Sequence, residues 1–309
     1  MSVDRKRITI VMVCDNNLVV MLAALLRSIE DNHLKNELVD IYIVSDKMSC
    51  KNIKRLNKVI CSDKICIIWK EMNDVIPNNY HFPLDRSNFP LNAYVRLFLF
   101  NFLPLNLKKA IYLDVDMIVL DDITNLWNVD LLGYPIAAVR DKISTVSEPD
   151  HGILNYRMLG LSRDTKYFNS GMLVFDLDAW RDGHFTRKII EIIEENKTYA
   201  KYPDQYGLNV AFANNWMELN KRWNHFANWR IDDKPSIIHF ISIKPLYKGY
   251  TFDSECRDIF YQYLSLTPWR KYKPKGDYHW KLQQFKNRLS KRTTGEILNK
   301  ILHRIKLDR

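Results

Sequence analysis

The sequence predicts an α/β fold built on a mixed, mainly parallel sheet flanked by helices, followed by a basic helical extension. Three observations predict it. Short apolar runs alternate with longer amphipathic segments in the order strand, helix, strand, helix, strand. The runs are nearly continuous in Ile, Val and Leu, as in strands covered on both faces. Polar clusters rich in Asp and Asn follow the ends of strands, where open parallel sheets bind ligands.

In chain order, residues 7–13 (RITIVMV) read as a buried first strand, stopped by Asp15-Asn16-Asn17. A helix over 18–31 follows, with Asn16 or Asn17 as its cap. Residues 39–44 form a second strand, 49–60 a second helix and 65–69 a third strand. Residues 88–102 read as one largely buried helix ending before Pro104. Further strands are expected at 136–139, ending in Arg140-Asp141, and at 171–175, with a long polar segment over 142–164 between them. Helices over 179–195 (capped by Asp178) and 205–213 precede a short strand at 237–240 containing His239.

A chain of 309 residues with 47% apolar and 27% charged residues can bury a large core as one α/β domain with an appendage. The five cysteines are odd in number and contain no CxxC pair, which points to free thiols in a reducing compartment. The apolar run after Arg5-Lys6-Arg7 is too short for a secretory leader, and no apolar stretch approaches the ~18 residues of a spanning helix. The expected location is cytoplasmic. The charge is local: residues 269–309 carry 13 Lys and Arg against 3 Asp and Glu, a surplus equal to that of the whole chain, 46 against 36.

The chemistry concentrates in residues 110–120 (AIYLDVDMIVL), where two carboxylates, Asp114 and Asp116, interrupt a buried run. An unpaired buried carboxylate costs several kcal/mol, so the strand should end near Leu113 and leave both acids at its carboxyl edge. Two hard oxygen ligands aimed at one spot suit Mn²⁺ or Mg²⁺ with a diphosphate, whereas an isolated Asp-x-Asp is more often a solvated turn or a helix cap. Arg96, alone among apolar neighbours, either snorkels to the surface or directs a guanidinium at an anion. His239, after an apolar strand, is either a packed core residue or a third metal ligand.

The order Asp15…Asn17, Arg96, Asp114-Val115-Asp116, Tyr167-Phe168-Asn169-Ser170-Gly171, Asp204-Gln205 and His239…Lys244-Pro245 resembles glycosyltransferase family 8, in particular its bacterial lipopolysaccharide glucosyl- and galactosyltransferases. The resemblance runs from about residue 7 to 250. It implies a GT-A-like nucleotide-diphospho-sugar fold, a UDP-hexose donor (glucose or galactose), Mn²⁺ and retention of anomeric configuration. It would place Asp15 and Asn17 at the uridine, and Asp114, Asp116 and His239 on the metal. Arg96, Asp141, Asn169, Asp204 and Gln205 would line the donor sugar, with Gln205, Asp204 and Asp141 as the catalytic set, and Lys244 would hold the diphosphate. The family's last motif usually reads His, two residues, Gly, two residues, Lys-Pro-Trp. Here HFISIKPL is one residue shorter, lacks the glycine and has Leu246 for the tryptophan. A glycine there lets a backbone amide approach phosphate, a job that Ser242 or a neighbour would have to take over.

The domain is drawn over 1–267 and the basic tail over 268–309. Tyr278, Leu282, Phe285 and Leu289 share one helical face, and Ile297, Leu298, Ile301, Leu302 and Ile305 make a second stripe. The two stripes are either ordinary helices packed on the domain or an interfacial anchor whose Lys and Arg face an anionic membrane at about 1 kcal/mol each. The anchor fits a glycolipid or oligosaccharide acceptor at the inner face of the cell membrane. No groove-reading or base-stacking motif supports a nucleic-acid partner. The alternative to a transferase is a sugar-nucleotide-binding protein with weak or no transfer activity.

Overall fold

A computed structural model of the protein describes residues 7–77, 91–149, 151–229, 233–276 and 278. Strands β1 (Arg7–Asp15), β2 (Leu38–Asp46), β3 (Ile65–Glu71) and β4 (Lys109–Leu113) pair in parallel in the order β3-β2-β1-β4. The sheet continues through β7 (Lys166–Asp176), antiparallel to β4, then β6 (Ile136–Thr145) and the two-residue β8 (Met217–Glu218). A smaller sheet holds β5 (Met117–Val119), β10 (Ile237–His239) and β9 (His225–Phe226). The architecture is the expected mixed, mainly parallel one.

Period-two geometry decides the two cores. Ile8, Ile10 and Met12 of β1 face a cluster containing helix α1 (Val19–Asn32), whereas Val11 and Val13 face a second cluster on the other side of the sheet. Both faces are covered, so the strands read as continuous apolar runs. The first cluster also takes in α9 (Ser254–Ser265).

Several local expectations need correction. Neither Asn16 nor Asn17 caps α1: Asn16 bonds to Lys47, Ser49 and Asn52, and the Asp15 carboxylate accepts the N–H groups of Asn17 and Leu18 instead. Helix α2 (Cys50–Leu56) is shorter than expected and starts on a Ser49 cap, and the four-residue α3 (Met72–Val75) follows β3. The helix expected over 88–102 is a 3₁₀ segment, Leu91–Leu97, followed by α4 (Leu99–Phe102), with 88–90 outside the described residues. The tighter winding turns Arg96 inward, where its Nε donates to the Ala93 carbonyl.

After α5 (Ile123–Trp127), the helix expected over 179–195 is two. Helix α6 (Leu177–Asp182) is capped by Asp176 rather than Asp178, which pairs with Lys108 and Arg181. Helix α7 (Phe185–Glu195) restarts after left-handed His184, and Phe185 packs so close to Gly183 that a Cβ there would come within 2.4 Å of its ring. Helix α8 spans Pro203–Ala211.

The first core also takes in a residue past 267. Trp269 is buried in the first core under the Arg55 guanidinium, 4.0 Å from its ring centroid, and Lys275 bridges to Tyr247. The amphipathic stripes beyond Tyr278 lie outside the described residues. Among the described residues no helix is long and apolar enough to cross a membrane, and all five cysteines are free thiols.

Candidate active site

The buried run at 110–120 is two strands in two sheets. Strand β4 stops at Leu113, the chain turns through Asp114-Val115-Asp116, and β5 begins at Met117 in the smaller sheet. The two carboxylates therefore sit on the seam. Strand β10 runs antiparallel to β5 with His239 opposite Met117, and the Phe240 N–H donates to the Asp116 carbonyl at 2.8 Å. One ligand atom from each of Asp114, Asp116 and His239 lies within 4.8 Å of the others, among the described residues the only cluster of three or more such groups.

The surroundings hold the two acids differently. Asp114 Oδ1 accepts from Arg96 Nη2 and from the Tyr112 hydroxyl, each at 2.9 Å. Burial nevertheless pushes its carboxyl up, and the neighbouring Asp116 charge adds to that. Asp116 lies 3.3 Å from His239 Nε2 and pairs with the Lys244 ammonium. Burial would raise its carboxyl, but Lys244 and His239 outweigh it and hold it far below the usual range. Two carboxylates side by side, one stabilised as an anion and one not, make a concentrated acceptor for positive charge.

Arg96 is buried and fully engaged. Nη1 donates to the Ser170 carbonyl and, at 3.0 Å, to its hydroxyl, Nε lies 3.2 Å from Asp204 Oδ2, and the guanidinium stacks 4.6 Å from the Tyr112 ring. Asp204 is 1% exposed and sits behind Arg96, its carboxyl raised by burial. Arg96 thus ties Asp204 to Asp114.

Beside this lies a second group. Strand β6 runs in the direction of β4 and, instead of ending before Arg140-Asp141 as expected, continues to Thr145; Asp141 lies in its irregular stretch, past the level at which β4 ends. Asp141 Oδ2 accepts from Asn169 Nδ2 at 2.9 Å and from Gln205 Nε2 at 3.2 Å. Gln205 Oε1 accepts the Ser170 N–H at 3.0 Å, and Nε2 also reaches the Tyr167 hydroxyl at 3.2 Å. Gln205 is thereby held by groups on β6 and β7.

Asp15 and Asn17 lie at the carboxyl end of β1, hydrogen-bonded to each other. Asp15 is near enough to raise the carboxyl of Asp46 and the hydroxyl of Tyr247, each already pushed up by burial. Lys244 donates to the Phe240 carbonyl as well as pairing with Asp116. Ser242, at the place of the family motif's glycine, has φ 63, the left-handed conformation that glycine adopts without strain.

Sequence reasoning gave no role to four residues here. Tyr112 stands two before Asp114, and Tyr167 two before Asn169, so strand alternation was a usable signal for both. Gly171 stood in the quoted motif; a Cβ on it would come within 2.5 Å of His239 Cε1 and 2.9 Å of Asp114 Oδ2. Asn224 joins the two groups, lying 2.9 Å from Asn169 Oδ1 and 2.9 Å from His239 Nδ1. It is the last residue of a short 3₁₀ turn, Lys221–Asn224, and no local pattern marks it.

Comparison with known proteins agrees with this fold. The sequence profile described as "Glycosyl transferase family 8" matches residues 9–245. General stress protein A of Bacillus subtilis is 27% identical over 280 residues, covering 84% of this chain and 94% of that protein. Lipopolysaccharide 1,2-glucosyltransferase of Escherichia coli is 33% identical over 138 residues, 42% of this chain and 37% of that one. Among solved structures, the galactosyltransferase LgtC with donor and acceptor sugar analogues superposes with a TM-score of 0.69 at 22% identity, covering 86% of this chain and 100% of LgtC. The bifunctional glycosyltransferase WbbM gives 0.68 at 23% identity, covering 89% and 52%. These two likenesses show the GT-A fold. With the profile spanning both the carboxylate pair and His239, the chain belongs to glycosyl transferase family 8.

Proposed function

We propose that the protein is a metal-dependent, retaining hexosyltransferase that moves glucose or galactose from a UDP-hexose to a lipopolysaccharide core or a related surface glycan. The observation that carries this reading is the convergence of Asp114, Asp116 and His239 where a parallel strand ends, in a chain of this family. Two carboxylates with one imidazole fit Mn²⁺ or Mg²⁺. Such a cation, when bound, supplies a Lewis acid for charge developing on the departing diphosphate.

The chain's own residues have separable tasks in this reading. Lys244, already beside Asp116, adds positive charge for the diphosphate. Arg96 orients Asp114 and, through Ser170, the β7 backbone. Asp15 and Asn17 receive the nucleoside. A hexose carries no charge, so its hydroxyls are read by fixed carboxylates and amides, and Asp141, Asn169 and Gln205 form such a set. Retention follows from a front-face displacement, in which the departing phosphate oxygen takes the acceptor's proton. Gln205, an amide and a poor nucleophile, stabilises positive charge at the anomeric carbon.

The basic residues beyond 277 anchor the enzyme on anionic membrane at the inner face of the cell membrane, beside a glycolipid acceptor. Replacing Lys281, Lys286, Arg288, Lys291 and Arg292 by Gln in the full chain should remove salt-sensitive binding to anionic vesicles and leave UDP-sugar hydrolysis intact. The shortened His239–Lys244 motif favours a second reading, a sugar-nucleotide-binding protein with little transfer. UDP release from UDP-glucose and UDP-galactose with Mn²⁺ separates them: sustained, metal-dependent release supports the transferase, and binding without release supports the alternative.

A further inference from the structure

A histidine offers a cation only the ring nitrogen that carries no proton, so the tautomer of His239 decides whether it can be a ligand. The hydrogen bonds behind the ring fix that tautomer. They begin at two groups of invariable polarity: the Gly171 N–H can only donate, and the Asp141 carboxylate accepts. Gly171 N–H donates to Asn169 Oδ1 at 3.0 Å, and Asn169 Nδ2 donates to Asp141 Oδ2 at 2.9 Å. A half-turn of the Asn169 amide would set N–H against N–H and carbonyl against carboxylate, so its orientation is determined. Gln205 Oε1, itself held by the Ser170 N–H, lies 3.4 Å from the same Nδ2 and points the same way.

Asn169 Oδ1 then requires the donor end of Asn224, whose Nδ2 is 2.9 Å away. That turns Asn224 Oδ1 towards His239 Nδ1, also at 2.9 Å, and an acceptor there calls for a proton on Nδ1. In the neutral ring Nε2 is left with its lone pair 3.3 Å from Asp116, whose carboxylate alone would favour a proton there, so Asn224 and Asp116 compete for the ring until a cation takes that lone pair. Asn224 is 1% exposed and His239 4%, so water cannot compensate a mismatched pair, and each unmatched buried polar group costs roughly 1–3 kcal/mol.

We infer that Asn224, oriented by Asn169, is a positioning residue that holds His239 as the Nδ1–H tautomer and presents Nε2 to a divalent cation. The cation half rests on the function proposed above; the tautomer half rests on the network alone.

Both halves are read on the full chain. Nitrogen-15 NMR of histidine-labelled protein in alkaline buffer, with the His239 signals identified by their loss in His239→Asn, reports the tautomer without metal. Calorimetric titration with Mn²⁺ in the presence of UDP reports the affinity. Wild type should show Nδ1–H. Asn224→Leu should lose that preference and bind Mn²⁺ about 10–100-fold more weakly, the usual effect of removing a ligand's supporting hydrogen bond. Asn224→Asp keeps an acceptor at Nδ1, though it loses the donor to Asn169 Oδ1, and should retain the Nδ1–H tautomer. Nε2–H as the major form in wild type overturns the inference even if a variant fails to fold. So does Asn224→Leu with tautomer and affinity unchanged. Nδ1–H in a wild type that binds no Mn²⁺ overturns the metal-dependent function and the cation half, and leaves the tautomer half standing.

Discussion

Gly171 and His239 pack so closely that a methyl group on the Gly171 α-carbon would come within 2.5 Å of the imidazole Cε1. The same methyl would sit 2.9 Å from Asp114 Oδ2 and 3.0 Å from Asn169 Oδ1. Gly171→Ala must therefore displace two of the three candidate ligands at once, in a buried place where side chains have little room to yield. Overpacking of this kind costs about 1–3 kcal/mol. The variant should melt several degrees lower and bind Mn²⁺ at least about tenfold more weakly, following the effect of disturbed ligand support. Unchanged Mn²⁺ affinity in calorimetry would show that these groups do not bind metal here.

Gln205 is anchored through both ends of its amide, to Asp141 and Tyr167 at Nε2 and to Ser170 at Oε1. Gln205→Ala should lower turnover by about 10²–10³, the range for losing a preorganised polar group beside a developing charge. UDP affinity should stay near the wild-type value. Turnover with UDP-galactose or UDP-glucose, set beside UDP binding by calorimetry, is the measurement, and joint loss of both would assign Gln205 to structure.

Arg96 holds its charge because Asp114, Tyr112 and Asp204 outweigh the burial that opposes it. Arg96→Met leaves Asp114 and Asp204 without their shared cation, and breaking a buried pair on one side costs about 3–5 kcal/mol. The exposed pair Arg7–Asp40 is the internal control. Arg7→Met should cost at most about 1 kcal/mol, as surface pairs do. Urea titrations of both variants against wild type give the comparison, and equal losses would mean that Arg96 is not the tie described.

Asp122 caps α5 through Thr124 and also accepts the backbone N–H groups of Leu34 and Lys35 beyond the end of α1. Burial works against its charge, but these bonds prevail and hold its carboxyl down at about 2. A carboxyl whose folded value lies below the unfolded one stabilises the protein above the unfolded value, near pH 4, and loses that contribution as pH falls towards its own. Wild-type stability should therefore fall more steeply than that of Asp122→Asn between about pH 4 and 2. Parallel curves for the two proteins in acid denaturation would count against the assignment.

The parts of this architecture that could be read in the sequence are those set by local rules. Buried parallel strands need continuous apolar residues, so β1, β2 and the end of β4 at Leu113 were visible, and a pair of acids inside such a run had to mark a strand end. Asp114, Asp116 and His239 were each legible as candidates and do converge. What escaped was set by contacts distant in sequence. Helix breaks at Phe98 and at Gly183–His184 go with a buried guanidinium and the half-buried Phe185 ring, not with a local propensity pattern. The resemblance put Asp204 beside Gln205 at the donor sugar; one residue along a helix turns a side chain by about 100°, and in the structure Asp204 lies behind Arg96. Asn224 became visible only once β9 and β10 were side by side.

The two sheets meet at a turn three residues long, and the groups gathered there come from both sides of it: Asp114 closes the large sheet, and His239 ends a strand of the small one. Any ion that draws them together acts as a rivet between the two sheets, added to the chain crossings and to the Asn169–Asn224–His239 hydrogen bonds that already join them. Saturating Mn²⁺ with UDP should then raise the melting temperature, by the equivalent of about 2.7 kcal/mol at a hundredfold excess over the dissociation constant. Amide exchange should slow first along β5 and β10, the short strands that depend most on being pinned.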